Sequence, residues 1–104
     1  MSKLTPPTFP AAARQIAALG ERLRAARRRR RLTQAVVAAR IGVSKQTVAK
    51  LEAGNPNTSL ATMLRVLGVL GLANDIDRLA ADDELGRRLQ DLGQPGPPRG
   101  RSVT

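Results

Sequence analysis

The chain has 104 residues, of which 18 are Lys or Arg and eight are Asp or Glu, and it contains no His and no Cys. This length allows one domain, with little left for a second. The absence of Cys excludes disulfides and thiolate metal sites, and the absence of His excludes Ser-His and Cys-His nucleophile pairs. Eight carboxylates remain, but nothing pairs them around a substrate pocket. We therefore expect no enzyme, no cofactor and no metal.

The positive charge is concentrated in one half of the chain. The formal net charge is +10; residues 1–54 carry 12 basic and two acidic side chains, and residues 55–104 carry six of each. This imbalance predicts a polyanionic partner, with a merely solvated basic surface as the alternative. Membrane binding is not expected, because Phe9 is the single aromatic residue. The start of the chain has no apolar run of signal-peptide length, so we expect a cytoplasmic protein.

The two ends of the chain differ in composition from its centre. Residues 1–10 contain three Pro and predict a flexible N-terminal arm, and residues 94–104 contain three Pro and two Gly and predict a disordered tail. Residues 11–93 are dominated by Ala, Leu and Arg, which favour helices, and no alternating segment indicates a strand. We predict an all-α domain over residues 11–93.

The first predicted helix, over residues 12–30, ends in a run of arginines. One face follows helical spacing at Ile16, Leu19, Leu23, Ala26 and Arg30. Arg27 lies four residues after Leu23 and borders this stripe, whereas Arg28, Arg29 and Arg31 should be more exposed. Basic side chains in the last turn also suit the helix dipole.

Two short helices are predicted next. Thr33 is a credible N-cap for a helix that ends at Gly42, a residue that adopts the left-handed conformation readily. Ser44 is the N-cap of the following helix, which ends before Gly54. The outward face of that helix carries two cations, one amide and two small residues: Lys45, Gln46, Ala49, Lys50 and Ala53. An ordinary solvent-exposed face would have a similar composition.

A fourth helix and two shorter ones are predicted beyond the turn at residues 55–58. The fourth runs from a Ser59 cap to Leu70, and Val69 lies off its main apolar face, which suggests a second buried contact. That apolar face comprises Leu60, Met63, Leu64, Val66, Leu67 and Leu70. Residues 74–81 are predicted to form one short helix. Another is capped at Asp82 or Asp83 and runs to about residue 92.

The two short helices joined at Gly42 form a helix-turn-helix arrangement. A small residue stands at the turn, apolar residues lie behind both helices, and polar residues lie in front of the second. The chain resembles the Cro/CI-like (XRE) helix-turn-helix family over residues 16–72. The residues that carry this resemblance are Thr33-Gln34, Ala38, Gly42-Val43-Ser44, Gln46-Thr47-Val48 and Leu51-Glu52-Ala53-Gly54.

This resemblance implies a compact, lambda-repressor-like fold of five helices, with a possible short C-terminal helix, that binds DNA as a homodimer. The second helix of the motif would enter the major groove, with Lys45 and Gln46 at its start and Lys50 one turn further along. Gln34 would contact phosphate and sometimes a base, and Ser44 would cap the helix and meet phosphate. The predicted DNA-binding residues are therefore Gln34, Ser44, Lys45, Gln46, Lys50, Arg28, Arg29 and Arg31.

The resemblance also implies a structural ion pair between Arg27 and Glu52. The apolar stripe agrees, because Arg27 borders it and needs a counter-charge. Three positions depart from the family pattern. Ala35 and Val36 stand where polar residues are usual, so Val36 is either buried by a neighbour or placed against a thymine methyl. Ala53 removes one expected phosphate contact, which the arginine cluster could replace.

Residues 55–60 and the helix through Leu72 look most similar to HipB-type antitoxins, which implies a HipA-like toxin kinase as partner. We predict that the protein is a transcriptional repressor that binds an inverted-repeat operator. The similarity to HipB implies, more specifically, a type II antitoxin. A stand-alone XRE-type phage or stress regulator is the first alternative, and a protein-interaction module without specific DNA binding is the second. The predicted dimer interface comprises Val69, Leu72, Ile76 and Leu79, bordered by acidic residues of the neutral half.

Overall fold

The computed structural model describes residues 7–93, and every regular element in that range is a helix, which confirms the all-α prediction. The elements are α1 (Pro10–Arg29), α2 (Gln34–Ile41), α3 (Lys45–Glu52), α4 (Leu60–Leu70), a 3-10 helix (Ala73–Arg78) and α5 (Glu84–Asp91). The tail predicted over residues 94–104 lies outside the described residues, as do residues 1–6 of the predicted arm. Pro10, the last residue of that arm, is instead the first residue of α1.

The described chain divides into two compact units, with the division between Asn74 and Asp75. The first unit contains α1 to α4. The second contains α5 and most of the 3-10 helix. None of the helices within residues 7–93 is long and apolar enough to cross a membrane.

Three of the helices in the first unit begin at hydroxyl caps, as predicted. The side-chain oxygens of Thr33, Ser44 and Ser59 each accept a hydrogen bond from the backbone N–H three residues later, at 3.0–3.1 Å. Each cap satisfies one of the N–H groups that a helix start leaves without a partner. The first helix begins differently, with a proline whose fixed φ suits the first helical position, and so starts two residues before the predicted boundary.

All four helices of the first unit end in the same kind of turn. A residue in the left-handed conformation follows each helix, and the next N–H bonds back to the carbonyl five residues earlier, which is the Schellman pattern. These left-handed residues are Arg31, Gly42, Gly54 and Gly71. Three are glycine, for which positive φ has no steric penalty. Arg31 is the exception, and it is the last of five consecutive arginines at residues 27–31.

The core of the first unit lies where α2 packs against α3 and α4, and where α1 packs against α3 and α4. Its buried apolar side chains are Leu23, Ala26, Val37, Ala38, Val48, Leu51, Val66, Leu67 and Leu70. The approach of α1 to α3 is close, because a methyl group at Gly20 would lie 2.5 Å from the backbone oxygen of Glu52.

The predicted apolar face of α4 was too broad. Leu60 and Leu64, which the sequence pattern assigns to it, are 63% and 37% exposed. The buried stripe instead runs through Thr62, Val66 and Leu70. Successive helical residues are rotated by about 100°, so both leucines lie a quarter turn or more from the centre of that stripe. Val69 is half-buried on the other side.

The second unit differs from its predicted form in one element. A short helix is predicted over residues 74–81, and the structure has a 3-10 helix over Ala73–Arg78, followed by a turn in which Ala80 has φ +57°. The tighter 3-10 geometry is common in such short segments. Asp83 is the cap of α5, accepting from the Gly86 N–H at 3.0 Å, as predicted. Neither element contains a buried residue.

Candidate nucleic-acid interface

The turn between α2 and α3 leaves one face of α3 open to solvent. Gly42 has φ +75°, and this left-handed residue reverses the chain between the two helices. Val48 and Leu51 are buried behind α3. On the opposite side, Lys45, Gln46 and Lys50 are exposed. The face therefore offers two ammonium groups and one amide on a rigid element, which is the donor set that base edges and phosphates accept.

Ser44 stands at the start of this face, and its hydroxyl is engaged in the cap. The oxygen accepts from the Thr47 N–H at 3.1 Å and shares a second hydrogen bond with the Thr47 hydroxyl at 3.0 Å. These bonds fix the first turn of α3, and with it the direction in which Lys45 and Gln46 leave the backbone.

The basic cluster, which comprises residues 27–31 at and just beyond the end of α1, is exposed except for Arg27. Arg28, Arg29 and Arg31 are solvent-exposed. Arg30 folds back and donates from Nη1 to the Ala26 carbonyl at 2.8 Å. The cluster is thus a local concentration of positive charge of the kind that releases counterions from a polyanion.

Arg27 points inward and forms a bidentate ion pair with Glu52. Its Nε donates to Glu52 Oε2 at 2.6 Å, and its Nη2 donates to Oε1 at 2.9 Å. Its Nη1 donates to the Leu32 carbonyl at 2.8 Å. Both charged residues are buried, with relative exposures of 9% and 4%. The structure thus joins the end of α1 to the last residue of α3.

The surroundings of Glu52 determine its charge state. Burial raises the pKa of the Glu52 carboxyl, but hydrogen bonds from Arg27 and Gln34, together with the positive charges of Arg27 and Arg24, bring it below its ordinary value. The hydrogen bond to Glu52 raises the pKa of Arg27 despite its burial. Both groups are therefore charged at neutral pH, and each compensates the other's loss of hydration.

Gln34 is the residue whose environment sequence reasoning missed. Its Nε2 donates to Glu52 Oε1 at 2.9 Å, and its side chain is half-buried at the start of α2. Gln34 and Glu52 are 18 positions apart and lie on different helices. No local spacing in the sequence signals such a contact, since it depends on how α2 and α3 pack.

The structure shows how exposed Val36 and the four predicted dimer residues are. Val36 is 39% exposed, which argues against burial by a neighbour and leaves its methyl groups open to a ligand. In the first unit, Val69 and Leu72 are half-buried. In the second unit, Ile76 is half-buried and Leu79 is 68% exposed. Each of these four residues keeps apolar surface that a second molecule could cover.

Comparison with protein-family models matches residues 18–81 to a helix-turn-helix domain. The match begins within α1 and spans α2, the Gly42 turn, α3, α4 and the 3-10 helix. Corresponding comparisons find no match among curated proteins or solved structures.

Proposed function

This chain belongs to the helix-turn-helix domain family, in its XRE/Cro-type form, and we propose that it is a transcriptional repressor that binds double-stranded DNA in a sequence-specific manner. The observation that carries the proposal is the exposed face of α3. Lys45, Gln46 and Lys50 stand on a helix whose back is anchored in the core and whose first turn is capped. The net positive charge of the same half of the chain favours a polyanion.

Each side chain on α3 has a matching group in the major groove. A glutamine amide binds adenine through N6 and N7, and lysine prefers guanine O6 and N7 or a phosphate. Gln46 is therefore the proposed base reader, with Lys45 beside it and Lys50 further along the same face. One well-formed base contact discriminates by about 1–3 kcal/mol. The exposed methyl groups of Val36 suit the methyl group of a thymine.

Phosphate contacts are assigned to Arg28, Arg29 and Arg31, with Ser44 and Gln34 near the starts of the two helices. The exposure of all three arginines supports this assignment. Contacts of this kind add affinity for every DNA sequence and make binding dependent on salt.

The repressor is proposed to act as a homodimer on an inverted repeat, because one recognition helix reads only a few base pairs. The two half-sites would lie about 34 Å apart. Val69, Leu72, Ile76 and Leu79 are the proposed contacts between protomers. Sedimentation of the V69D/I76D double variant tests this placement. We expect a folded monomer with much weaker operator binding, whereas a dimer of unaltered affinity would contradict the placement.

The finer proposal is a HipB-like antitoxin that represses its own operon and holds a HipA-like toxin kinase. Its support is the similarity of residues 55–72 and the exposed acidic side chains that could meet a basic toxin surface, namely Asp75, Asp77, Asp82, Asp83 and Glu84. A kinase-like reading frame next to the gene, and co-purification of its product, would support this version. Neither would be found for a stand-alone phage or stress regulator. A DNA-binding role also agrees with the proposed cytoplasmic location.

Selection from a pool of duplexes with 20 randomised base pairs tests DNA binding directly. We expect enrichment of an inverted repeat. The Q46A variant should bind the enriched duplex about 1–3 kcal/mol more weakly and lose preference at one or two base pairs. R29A should weaken binding to all sequences alike and flatten the salt dependence. Q90A removes an exposed amide from α5 and is the matched control.

The same selection separates the repressor from a protein-interaction module. A module without specific DNA binding would enrich no sequence, and its binding would not respond to Q46A. The exposed leucines of α5 are the observation that favours such a module as the second candidate.

A further inference from the structure

We infer that Glu52 is a positioning residue for DNA recognition, because its buried carboxylate holds the Gln34 amide in one orientation at the start of α2. This inference rests on the proposed function. It adds a role to a residue whose predicted role was purely structural. The contact that carries it is the 2.9 Å hydrogen bond from Gln34 Nε2 to Glu52 Oε1.

The chemistry of the carboxylate fixes which way the amide points. An ionised carboxylate only accepts hydrogen bonds, so Gln34 must present its NH2 group to Glu52. The carboxylate cannot swing away, because both of its oxygens also accept from Arg27. Arg27 is held in turn by the Leu32 carbonyl at 2.8 Å. The orientation of one amide therefore depends on a network that reaches from α1 to the end of α3.

This position matters because Gln34 is the first residue of α2. The helix is capped by the Thr33 hydroxyl, which accepts from the Val36 N–H. The side-chain amide of Gln34 is therefore not used in the cap and can bond elsewhere. With one N–H given to Glu52, the amide keeps its carbonyl oxygen and its second N–H for a ligand. Gln46 provides the contrast, since it is exposed and forms no side-chain hydrogen bond within residues 7–93.

Prior ordering of a side chain raises affinity, because less rotamer freedom is lost on binding. We expect Q34A to weaken binding to the selected duplex by about 3- to 10-fold. We expect E52Q to cause a similar loss, because a neutral amide at position 52 no longer dictates the orientation of Gln34.

A double-mutant cycle distinguishes positioning from general destabilisation. Wild type, Q34A, E52Q and Q34A/E52Q are compared by fluorescence anisotropy with the selected duplex at 10 °C, after circular dichroism shows that each is folded. We expect E52Q to cause no further loss in the Q34A background, so that the two effects are not additive. Equal losses in both backgrounds, or an E52Q variant that binds as wild type, would overturn the inference. If E52Q does not fold, the cycle uses E52D, which keeps a negative charge beside Arg27 but lengthens the contact with Gln34, because its side chain is one methylene group shorter.

The orientation itself is measured without DNA. In a 15N–1H correlation spectrum of the wild-type protein, we expect one Gln34 side-chain proton to lie downfield of the corresponding Gln46 proton and to exchange with solvent more slowly, and both differences to be lost in E52Q. Gln46 should show the narrow, fast-exchanging pair of a free amide in both proteins. A Gln34 signal indistinguishable from that of Gln46 would overturn the inference. If the wild type selects no duplex while the Gln34 signal is as expected, the proposed function fails but the positioning contact stands.

Discussion

The two units of the described chain differ in what stabilises them. Residues 7–74 bury nine apolar side chains and one bidentate ion pair. Residues 75–93 contain no fully buried residue, and Leu79, Leu85, Leu89 and Leu92 are all exposed. The charge differs as well, since residues 7–74 contain 12 basic and two acidic side chains, against three and six in residues 75–93.

This difference indicates that the two units depend on different sources of stability. The first unit is stabilised by a buried apolar core, by helix caps and by a buried ion pair. The helix of the second has eight residues, a length at which an isolated helix is marginal in water. Its ion pairs, Arg87 with Asp82 and Arg88 with Glu84, are exposed, and such pairs contribute about 0–1 kcal/mol. We expect a partner to supply the burial that residues 75–93 lack.

The largest effect is predicted for the buried ion pair of the first unit, and an exposed ion pair of the second unit provides the comparison. E52A should lower the free energy of unfolding by about 3–5 kcal/mol, because Arg27 stays buried without its partner. The matched control is E84A, which removes an exposed partner of Arg88 and should change stability by less than about 1 kcal/mol. Thermal melts followed by far-ultraviolet circular dichroism measure both, since the chain has no Trp or Tyr. Equal melting temperatures for the two variants would show that the buried pair contributes no more than the exposed one.

The next effect tests the close approach of α1 to α3. G20A places a methyl group 2.5 Å and 2.8 Å from the carbonyl oxygens of Glu52 and Leu51. We expect a loss of about 1–3 kcal/mol, which is typical of overpacking. G68A is the control, because nothing lies within 4 Å of the added methyl on α4. It should stabilise the protein by up to about 1 kcal/mol through helix propensity. Urea unfolding measures the stability of both variants. A G20A variant as stable as G68A would contradict the close packing of α1 against α3.

Local rules in the sequence predicted most of this architecture. Caps at Thr33, Ser44 and Ser59 and the turn at Gly42 depend on residues a few positions apart, so a single sequence reveals them. The exposure of Leu60 and the bond between Gln34 and Glu52 depend on how helices pack. The first was predicted wrongly and the second was not predicted. Gly20 belongs to the same class, since only the neighbouring helix explains why a methyl group does not fit there.

Acid should weaken the first unit through Glu52. The folded state holds the pKa of this carboxyl below its ordinary value, so the unfolded chain binds the proton more readily. The resulting stability is present above an unfolded carboxyl pKa of about 4.3 and is lost as pH falls through the lower folded value. The loss should be smaller than in E52A, because a protonated carboxyl still accepts a hydrogen bond. Urea midpoints measured from pH 6 down to pH 3 should fall for wild type and fall less steeply for E52Q. Parallel curves would show that other carboxylates, including those of the second unit, control the acid response.

The smallest predicted effect comes from the exposed leucines of α5. The L85S/L89S double variant removes two apolar side chains that are 64% and 42% exposed, so little buried area is lost and we expect a change below about 0.5 kcal/mol. V48S, which replaces a fully buried valine of the first unit, should lower stability by several kcal/mol, since it leaves a cavity and buries a hydroxyl. Circular dichroism melts at two protein concentrations compare L85S/L89S and V48S with the wild type. A large loss in L85S/L89S that shrinks on dilution would mean that a second copy of the chain covers these leucines, because dilution removes the stability that association gives the wild type. A large loss that is independent of concentration would mean that the leucines are buried within one chain, and the contrast between the units would then fail.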